Sequence, residues 1–441
     1  MTVRLRLDAR ARRFQGGRIL LGGAPLRLLR LGPAGVERVD AWLAGAPVGE
    51  RPHEQALARR MLDAGIMHPI PVGGAPTRDD VTLVVPVKNN RVGLQRLLAA
   101  TPDLRHRVVV DDGSSVPLSE ATVRHRASRG PAAARNAGWR TARTPLIAFL
   151  DSDTIPDPGW LDAVLPLFGD SSVAAVAPRI RALPAGPVGR YEVHRSSLDM
   201  GPDPATVRHD GRVRYVPTAA LVVRRSALES IDGFDESLRF GEDVDLVWRL
   251  LATGKTVRYQ PFSIVRHEPR PTVRAWLRQQ YDYGTSAAPL AARHPGRLGC
   301  AHLPKVFAAQ CALVLTGHPA VAAAAGILDA GRSAHRLHRH GIPARAALGI
   351  AGTGQFALIR QAADALRRVW WPPALLSRRG RTVLAAALLS AAAADLARGR
   401  NPCPGIAADL AYGVGVWAGC LRHRTAEPLL PQRNRSRDVP H

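Results

Sequence analysis

The sequence has few aromatic residues, few cysteines and no apolar leader. Aromatic residues make up 5% of the 441 positions, although hydrophobic residues reach 46% and can form a large core. The four cysteines, Cys300, Cys311, Cys403 and Cys420, include no C-x-x-C pair. Neither a zinc site nor a disulfide framework is therefore expected, and a reducing compartment is the simpler interpretation. Residues 1–13 lack the apolar region of a signal peptide, so we expect no signal peptide and expect residues 81–290 to stay in the cytoplasm.

Acidic residues and lysine are also scarce. The chain has 61 Lys and Arg against 36 Asp and Glu, a formal net charge of +25, and its lysines are Lys88, Lys255 and Lys305. An Ala- and Arg-rich composition can follow from genome composition, so part of this charge carries no functional meaning. The remainder favours anionic partners: phosphate groups, nucleic acid or a membrane surface. Nucleic acid is the least expected of these, because no Arg-rich stretch is interleaved with aromatic residues that would stack on bases.

Residues 1–75 are predicted to be a small α+β domain. The patterns predict strands at Arg18–Leu21 and Leu26–Leu31 and helices at Ala34–Leu43 and His53–Ala64. A turn at Gly22-Gly23 joins the strands, and Gly65 ends the second helix. A linker rich in Pro, Gly and charge follows at Pro71–Asp80.

Residues 81–290 are predicted to be an α/β domain. Buried strands are predicted at Val81–Val87, Arg107–Val110 and Leu146–Leu150, and helices at Val92–Ala100 and Ala132–Thr141. Strands that alternate with helices imply βαβ units and a parallel sheet. Ligands of such sheets bind at the carboxyl ends of the strands. The polar runs Lys88–Asn90, Asp111–Ser115 and Asp151–Asp153 all fall at those ends, so we expect the functional site there.

Residues 300–425 are Ala-rich and are predicted to be helical and partly apolar. The run Val306–Leu328 has no formal charge over 23 residues, about the length that spans a bilayer. His318 and Pro319 interrupt this run, and a proline kinks a helix. Arginines flank the apolar runs, as is typical of cytoplasmic flanks. The composition favours association with a membrane, either by spanning it or by packing as a helical hairpin on its surface.

Two carboxylates, Asp151 and Asp153, follow the strand Leu146–Leu150. Oxygen ligands at i and i+2 beyond a buried strand suit Mg²⁺ or Mn²⁺, which could also bind a diphosphate. The alternative is a turn that caps the next helix, and D-x-D alone does not distinguish the two. His267, after a predicted strand at Ser263–Arg266, is a candidate third ligand, although a lone His is more often structural.

Two further motifs favour a nucleotide ligand. Asp111 or Asp112, in the run VVVDDGSS, could accept hydrogen bonds from a nucleobase or ribose, or could instead form an Asx-type turn. Arg129 and Arg135 lie beside the first turns of a predicted helix and favour phosphate. Surface arginines are common in this chain, so this second motif is weak by itself.

A cluster of acids at Gly241-Glu242-Asp243 precedes a predicted helix that also carries Asp245. Carboxylates this close raise one another's pKa when they are partly buried, which suits a general base near neutral pH. The alternative is helix N-capping, where Asp and Glu are expected in any case.

With these motifs in this order, the chain resembles the family 2 glycosyltransferases, which have the GT-A fold. The resemblance covers about Val81 to Gly284. It is carried by VTLVVPVKNN, VVVDDGSS, RGPAAARNAGWR, FLDSDTIP and GFDESLRFGEDVDLVWRL. Lys88 stands where the family usually has an aromatic residue. The Gln-x-x-Arg-Trp motif of processive polysaccharide synthases is missing, the nearest stretch being Trp276–Tyr281, so we do not expect a long polymer.

The resemblance implies a role for each matched residue. Asp243, next to Glu242, is the general base of an inverting displacement. The metal, Mg or Mn, binds Asp153 directly, with Asp151 and His267 as further ligands. The residues implied for the nucleotide-sugar donor are Pro86, Lys88, Asn89, Asp111, Asp112, Arg129, Arg135, Asn136 and Asp151. The residues implied for the acceptor are Gly233, Phe234, Trp276 and Tyr281.

The first segment is similar to PqqD-like peptide-recognition domains, through GRILLGGAPLRLLRLGPAG and RRMLDAGIM. This implies a winged-helix-like fold that contacts a peptide or a maturation protein. A PqqD-like domain ahead of a family 2 transferase resembles the glycosyltransferases of the mycofactocin system. That implies transfer of a sugar, glucose from UDP-glucose, to a peptide-derived redox cofactor precursor at the cytoplasmic face of the membrane. The alternative is a generic family 2 transferase that acts on a lipid carrier or cell-wall glycan.

Overall fold

The computed structural model describes residues 2–432. The chain divides into two compact units, Met1–Pro271 and Thr272–His441. The first unit holds an α+β N-terminal segment and a large mixed sheet, and the second unit is helical. The domain boundaries expected from the sequence stay predictions, although residues 272–290 group with the second unit rather than with the sheet.

The N-terminal segment combines short strands with helices. Its elements are β1 (Thr2–Leu7), β2 (Arg12–Phe14), β3 (Ile19–Gly22), β4 (Arg27–Arg30), α1 (Pro33–Leu43), α2 (Pro52–Ala64) and β5 (Met67–Val72). β3 pairs with β4 across the predicted Gly22-Gly23 turn, and β1 pairs with β5. Trp42 and Met61 are fully buried in one apolar cluster, so the segment has a core of its own. The predicted α+β class is confirmed, whereas the PqqD-like identity stays a prediction.

The remainder of the first unit is a sheet flanked by helices. Its elements are β6 (Val81–Val87), α3 (Arg91–Ala99), β7 (His106–Asp111), β8 (Val123–Arg124), α4 (Pro131–Thr141), β9 (Leu146–Leu150), β10 (Thr154–Pro156), β11 (Val173–Ala182), α5 (Gly186–Arg195), β12 (Ala205–Thr206), β13 (Ala220–Arg224), α6 (Arg225–Ser230), α7 (Glu242–Ala252) and β14 (Thr256–His267). The strands and helices predicted between residues 81 and 150 are confirmed to within one residue at each end.

The sheet is mixed, which corrects the prediction of a parallel sheet. Its strand order is β10-β14-β11-β13-β9-β6-β7-β8, and β12 pairs with β14. β9, β6, β7 and β8 are parallel to their neighbours, but β13 lies antiparallel between β9 and β11. Helices connect β6 to β7 and β8 to β9, which gives parallel strands, whereas β10 follows β9 with no helix between them.

The parallel strands end at the same edge of the sheet. Fully buried Leu83 and Val85 of β6 pack in one cluster with Leu94 and Leu97 of α3. This packing fixes β6 in register with β7 and β9, so the polar residues that follow these strands lie at one edge. The polar runs at which we expected the functional site therefore lie together at this edge of the sheet.

The second unit is built from helices. They are α8 (Val273–Thr285), α9 (Ala287–Arg293), α10 (Lys305–Thr316), α11 (Pro319–Arg339), α12 (Ala344–Ala365), α13 (Trp371–Ala374), α14 (Arg378–Leu396) and α15 (Cys403–His423). The run Val306–Leu328 is not one helix: α10 ends before Gly317, whose φ is 93°, and Pro319 begins α11. Across residues 2–432, helices with both the length and the apolar character for crossing a membrane are absent.

Candidate active site

Asp151 and Asp153 follow β9, but their side chains point to different partners. The carbonyl of Asp151 accepts hydrogen bonds from the backbone and hydroxyl of Thr154, which shapes the turn into β10. The Asp151 carboxylate accepts a hydrogen bond from Nη2 of Arg135 at 2.7 Å. Oδ2 of Asp153 instead lies 3.5 Å from Nε2 of His267. The antiparallel pairing of β10 with β14 sets Thr154 opposite His267 and so holds the second pair together.

Asp153 and His267 fit a divalent cation, but the structure does not bring Asp151 to them. Oδ1 of Asp153 and Nδ1 of His267 are buried and lack a hydrogen-bond partner in the described chain. Burial disfavours both charges, yet their attraction lowers the pKa of Asp153 and raises that of His267. Groups of three His, Cys, Asp or Glu side chains suited to a metal are absent from residues 2–432. Asp153 and His267 thus lie together as possible ligands while Arg135 binds Asp151, and the three-ligand set stays a prediction.

Arg135, on α4, joins the two acidic motifs. Its Nη1 donates to Glu242 at 2.9 Å and its Nη2 donates to Asp151, and its side chain is 4% exposed. Burial disfavours its charge, but the two carboxylates outweigh that cost and raise the pKa of Arg135. The predicted phosphate contact of Arg135 is thus replaced by a different geometry. The guanidinium binds one carboxylate after β9 and one at the start of α7.

Asp243 lies in the first turn of α7, which begins after Gly241 in a left-handed conformation with a φ of 82°. Burial and the neighbouring charge of Glu242 raise the pKa of Asp243 to about 7. Its Oδ1 also accepts a hydrogen bond from the N–H of Val244 at 2.8 Å. The carboxylate is therefore fixed by the helix and takes up a proton near neutral pH. The third acid of the motif, Asp245, is instead paired with an arginine one turn later on α7.

Asn136 holds the loop that precedes α7. Its Oδ1 accepts from the N–H of Phe234 at 2.9 Å and from Nε1 of Trp139 at 3.0 Å. Its Nδ2 donates to the Phe234 carbonyl at 2.8 Å and to Glu236 at 3.0 Å. Gly233 adopts a φ of 68°, and a Cβ there would lie 2.5 Å from Asn136 Oδ1. Asn136, predicted to contact the donor, is 1% exposed and positions the loop.

The predicted acceptor residues belong to two different units of the described structure. Phe234 is 3% exposed and packs edge-on against Phe149, with 5.3 Å between the ring centroids. Gly233 and Phe234 are thus interior residues of the loop that precedes α7. Trp276 and Tyr281 are on α8 of the second unit, where Trp276 is buried. Sequence spacing did not reveal that these residues belong to separate units.

The carboxylates after β7 hold their own loop. Asp111 is fully buried and accepts from the N–H of Ser114 at 2.8 Å. Asp112 accepts at 2.7–2.9 Å from His125 Nδ1, the Ser128 hydroxyl and the N–H groups of Arg129 and Gly130. These bonds outweigh the cost of burial and lower the pKa of Asp112. Asp111 thus forms an Asx-type turn, whereas Asp112 binds residues 13 to 18 positions further along the chain, and a nucleotide contact of either stays a prediction.

The remaining predicted donor residues lie at the end of β6 and before α4. Pro86 is half-buried in β6, and Lys88 and Asn89 follow it exposed. Asn89 has a φ of 53° and accepts at its side-chain oxygen from the N–H of Ser115 at 2.8 Å. The side chain of Arg129 is 60% exposed. Of the cations predicted to bind the donor, Lys88 and Arg129 are thus exposed to solvent.

Comparison with known proteins agrees with this arrangement. The sequence model described as Glycosyl transferase family 2 matches residues 82–231. The pre-mycofactocin glycosyltransferase of Mycobacterium tuberculosis, in two strains, is 40% identical over 466 aligned positions that cover 97% of each chain. The chain belongs to glycosyltransferase family 2, in the group of the pre-mycofactocin glycosyltransferases. The succinoglycan biosynthesis protein ExoU of Rhizobium meliloti is 32% identical over 202 residues, 41% of this transferase and 58% of that protein.

Solved structures of other transferases show a lower likeness. S. aureus TarS 1–349 is 16% identical, with a TM-score of 0.37 over 48% of this chain and 64% of that chain. GalNAc-T7, solved with UDP, GalNAc and Mn²⁺, is 15% identical, with a TM-score of 0.35 over 48% and 51% of the two chains. The family membership establishes transferase activity and confirms the predicted α/β GT-A class, together with the mixed sheet flanked by helices.

Sequence reasoning missed two residues of the transferase site. Glu236 accepts from Arg129 at 2.9 Å and from Asn136, so it connects the loop before α7 to α4. Arg270 lies 3.8 Å from Oδ2 of Asp153, beside the candidate cation site. Arg270 follows His267 by three residues. Because residues this close in sequence to a strand end lie near that end, the location of Arg270 could have been predicted.

Proposed function

We propose that the transferase moves a sugar from a nucleoside diphosphate donor, UDP-glucose, to a hydroxyl of a peptide-derived redox cofactor precursor in mycofactocin biosynthesis, with inversion at the anomeric carbon. The relative that is 40% identical over nearly the whole chain carries the name of that pathway. The observation that supports the chemistry most directly is Asp243, whose carboxyl has a pKa of about 7 at the start of α7. A carboxylate poised near neutral pH suits a general base.

In the proposed mechanism, the unprotonated Asp243 carboxylate removes the proton of the acceptor hydroxyl. The acceptor oxygen then forms a bond to the anomeric carbon while the bond from that carbon to the diphosphate oxygen breaks. A single displacement of this kind inverts the configuration, and the proton stays on Asp243 until solvent removes it. The Arg135 bridge to Glu242 and Asp151 holds the base at a fixed position relative to the end of β9.

Asp153 and His267 are the residues that would hold Mg²⁺ or Mn²⁺, and the ion would neutralise charge on the diphosphate. The exposed cations Lys88 and Arg129 are candidates for direct contact with the same phosphates. Arg270, 3.8 Å from Asp153, would offset the charge of that carboxylate and moderate the affinity for the ion. These roles rest on side chains that surround the end of β9.

The test of the base compares Asp243→Asn with a matched control, Asp232→Asn. Asp232 is 89% exposed and has a φ of 55°, which asparagine tolerates, so its replacement should leave transfer unchanged. Asp243→Asn should bind UDP almost normally and lose transfer by roughly a hundredfold or more. A similar loss of UDP binding would move Asp243 into a binding role, and unchanged transfer would remove it from the mechanism.

The test of the substrate compares acceptors and products. A peptide-derived precursor and a polyprenyl phosphate carrier are offered with UDP-glucose, and the anomeric configuration of the product is read by NMR. Transfer to the precursor with inverted configuration is expected. Transfer to the lipid carrier alone would favour the generic family 2 alternative, which the partial likeness to ExoU keeps open. A product with retained configuration would contradict the single displacement.

We also propose that the second unit lies on an anionic membrane surface. Of the large apolar side chains that are exposed in residues 2–432, most belong to this unit, among them Ile327, Phe356 and Leu376 at 73%, 76% and 85%. Residues 272–432 also contain 19 Lys and Arg against 6 Asp and Glu. Exposed apolar groups beside excess positive charge favour the interface of a bilayer that contains acidic lipids.

A further inference from the structure

A second group of charged side chains lies at the other end of β14, where the N-terminal segment meets the sheet. Arg258 of β14 is opposite Val176 of β11, and His267 is opposite Ala182, six residues further along β11, which at about 3.3 Å per residue places the two roughly 20 Å apart. The short strand β12 pairs with this part of β14 and sets Thr206 opposite Arg258. A pocket of about 80 Å³ opens beside Thr206.

The pocket is lined by guanidinium groups and backbone from both parts of the first unit. Its lining includes Arg10, Arg208 and Arg212, together with Gly23 and Gly65 at turns of the N-terminal segment. The volume would hold a few water molecules, or one small charged group in their place.

Asp8 is the carboxylate that lines the pocket, and other residues of the protein already contact its oxygens. His68 Nε2 lies 2.8 Å from its Oδ2, and the N–H of Arg10 donates to its Oδ1 at 2.9 Å. Both side chains of the Asp8–His68 pair are nearly buried. Asp8 therefore already has two close partners in the N-terminal segment, in addition to its attraction for Arg212.

Arg258 is a buried cation without a counter-charge in contact. It is 5% exposed, its Nε is buried without a partner, and no hydrogen bond or ion pair to a described residue engages its guanidinium. Burial lowers the pKa of Arg258 to about 10, because the attraction of Asp170 and Asp63 only partly offsets burial and the repulsion from Arg59 and Arg208. Directly opposed residues on antiparallel strands share a face, so Arg258 lies on the side of Thr206, whose hydroxyl is also unpaired.

The nearby carboxylates are too few for the lining arginines. Asp203 is shared, since Arg10 and Arg212 donate to it at 2.8 and 2.9 Å. Arg208 reaches a single carboxylate within 4.0 Å in the described chain, Asp63 at 3.9 Å, and another arginine of α2 also contacts Asp63. A buried guanidinium that lacks a partner is costly, and a bound anion would remove that cost.

We propose that this pocket is a binding site for an oxyanion, a carboxylate or phosphate group, held by Arg208 and Arg212 with Arg258 behind them. It is separate from the transfer site, because it lies at the opposite end of β14. An occupant there would contact the N-terminal segment and the sheet at once, so its binding would stabilise their present arrangement.

The experiment titrates the full-length protein with inorganic phosphate in a chloride buffer and follows binding calorimetrically. Arg208→Met and Arg258→Met are compared with Arg105→Met, which removes the same charge from an exposed residue elsewhere on the first unit. Phosphate affinity should fall at least tenfold in the two pocket variants and stay unchanged in the control. Equal affinity in all four proteins, or no binding by the wild type, would overturn the proposal.

A melting curve recorded without phosphate shows whether each variant is folded. Because Arg258→Met removes an uncompensated buried charge and keeps the side-chain length, this variant should melt no lower than the wild type. A clearly lower melting temperature would show that the Arg258 guanidinium is structural and would count against the site.

Competition then identifies the source of the oxyanion. A short unblocked peptide and its C-terminal amide are added to the phosphate-bound wild type. Displacement by the free carboxylate but not by the amide assigns the pocket to a peptide terminus. Displacement by neither assigns it to a phosphate group. Displacement by both would contradict recognition of an oxyanion.

Discussion

Asp243 and Asp153 are both carboxylates of the candidate site, but their surroundings set opposite proton affinities. Asp243 is next to the like charge of Glu242, and with burial this raises its pKa to about 7. Asp153 faces His267 and Arg270, which outweigh burial and lower its pKa. One group can therefore accept a proton at neutral pH, while the other keeps its charge for a cation.

The first prediction concerns pH. Below about pH 7 the Asp243 carboxyl is protonated and cannot accept a proton, so kcat/KM should fall about tenfold for each pH unit below that value. Above it the rate should level off. Initial rates between pH 5.5 and 8.5 at low acceptor concentration measure the profile. A flat profile across this range would contradict the assignment of the base.

A stability measurement checks the same pKa without catalysis. The native pKa of Asp243 is raised, so its favourable contribution is complete below the unfolded pKa of about 4 and is lost as pH rises through about 7. Asp243→Asn has no such loss. The melting temperature of the variant relative to wild type should therefore increase between pH 5 and pH 8, and a constant difference would place the native pKa near its ordinary value.

The second prediction concerns the cation. Asp153→Asn removes a charged ligand beside His267, so Mn²⁺ binding and transfer should both be lost, while the melting temperature changes by only a few degrees. Asp157→Asn is the matched control, since Asp157 follows β10 and pairs with Arg266 at the surface. Calorimetric titration with Mn²⁺ in the presence of UDP makes the comparison. Mn²⁺ binding by the Asp153 variant equal to wild type would place the ion elsewhere.

At the scale of elements, α4 connects the end of β9 to the start of α7. Arg135 and Asn136 are consecutive on this helix, and they contact the end of β9, the start of α7 and the loop before it. α4 begins after Gly130, at a φ of 95°, with proline in its first turn. Because these anchors are buried, a shift of α4 would move the carboxylates that surround the reacting groups.

The third prediction tests this role of α4. Asn136→Ala removes four hydrogen bonds to buried partners, so the free energy of unfolding of the first unit should fall by about 2–4 kcal/mol. UDP affinity, measured at a temperature where the variant is folded, should stay near wild type, while kcat falls. Thermal melting and calorimetry provide the two readouts. A large loss of UDP affinity with unchanged stability would instead return Asn136 to donor contact.

Elements with strong local patterns could be predicted from the sequence, and the rest depended on tertiary pairing. The apolar runs of β6 and β9 and the turn at Gly22-Gly23 are local signals, and all three are confirmed. The antiparallel insertion of β13 is set by pairing with residues 70 positions away, which no local pattern encodes. The D-x-D motif was recognisable, but the capture of Asp151 by Arg135 depends on how α4 packs.

At the scale of the whole molecule, charge and exposed apolar area are concentrated in the second unit. The fourth prediction is that the protein floats with vesicles that contain phosphatidylglycerol and much less with phosphatidylcholine alone. Ile327→Ser with Phe356→Ser should reduce flotation severalfold. Phe262→Ser, 61% exposed in the first unit, is the matched control and should have no effect. Absence of flotation with either lipid, or an equal effect of the control, would contradict the membrane proposal.

The position of Lys88 makes the transferase unusually simple to footprint. Reagents that acylate primary amines have only Lys88, Lys255, Lys305 and the amino terminus to modify. Lys88 is exposed just beyond β6, at the edge of the sheet where the donor is expected, whereas Lys255 precedes β14 and Lys305 begins α10. Occupancy of the donor site can thus be followed by mass spectrometry as the acylation of one amine, with the other two lysines as internal standards.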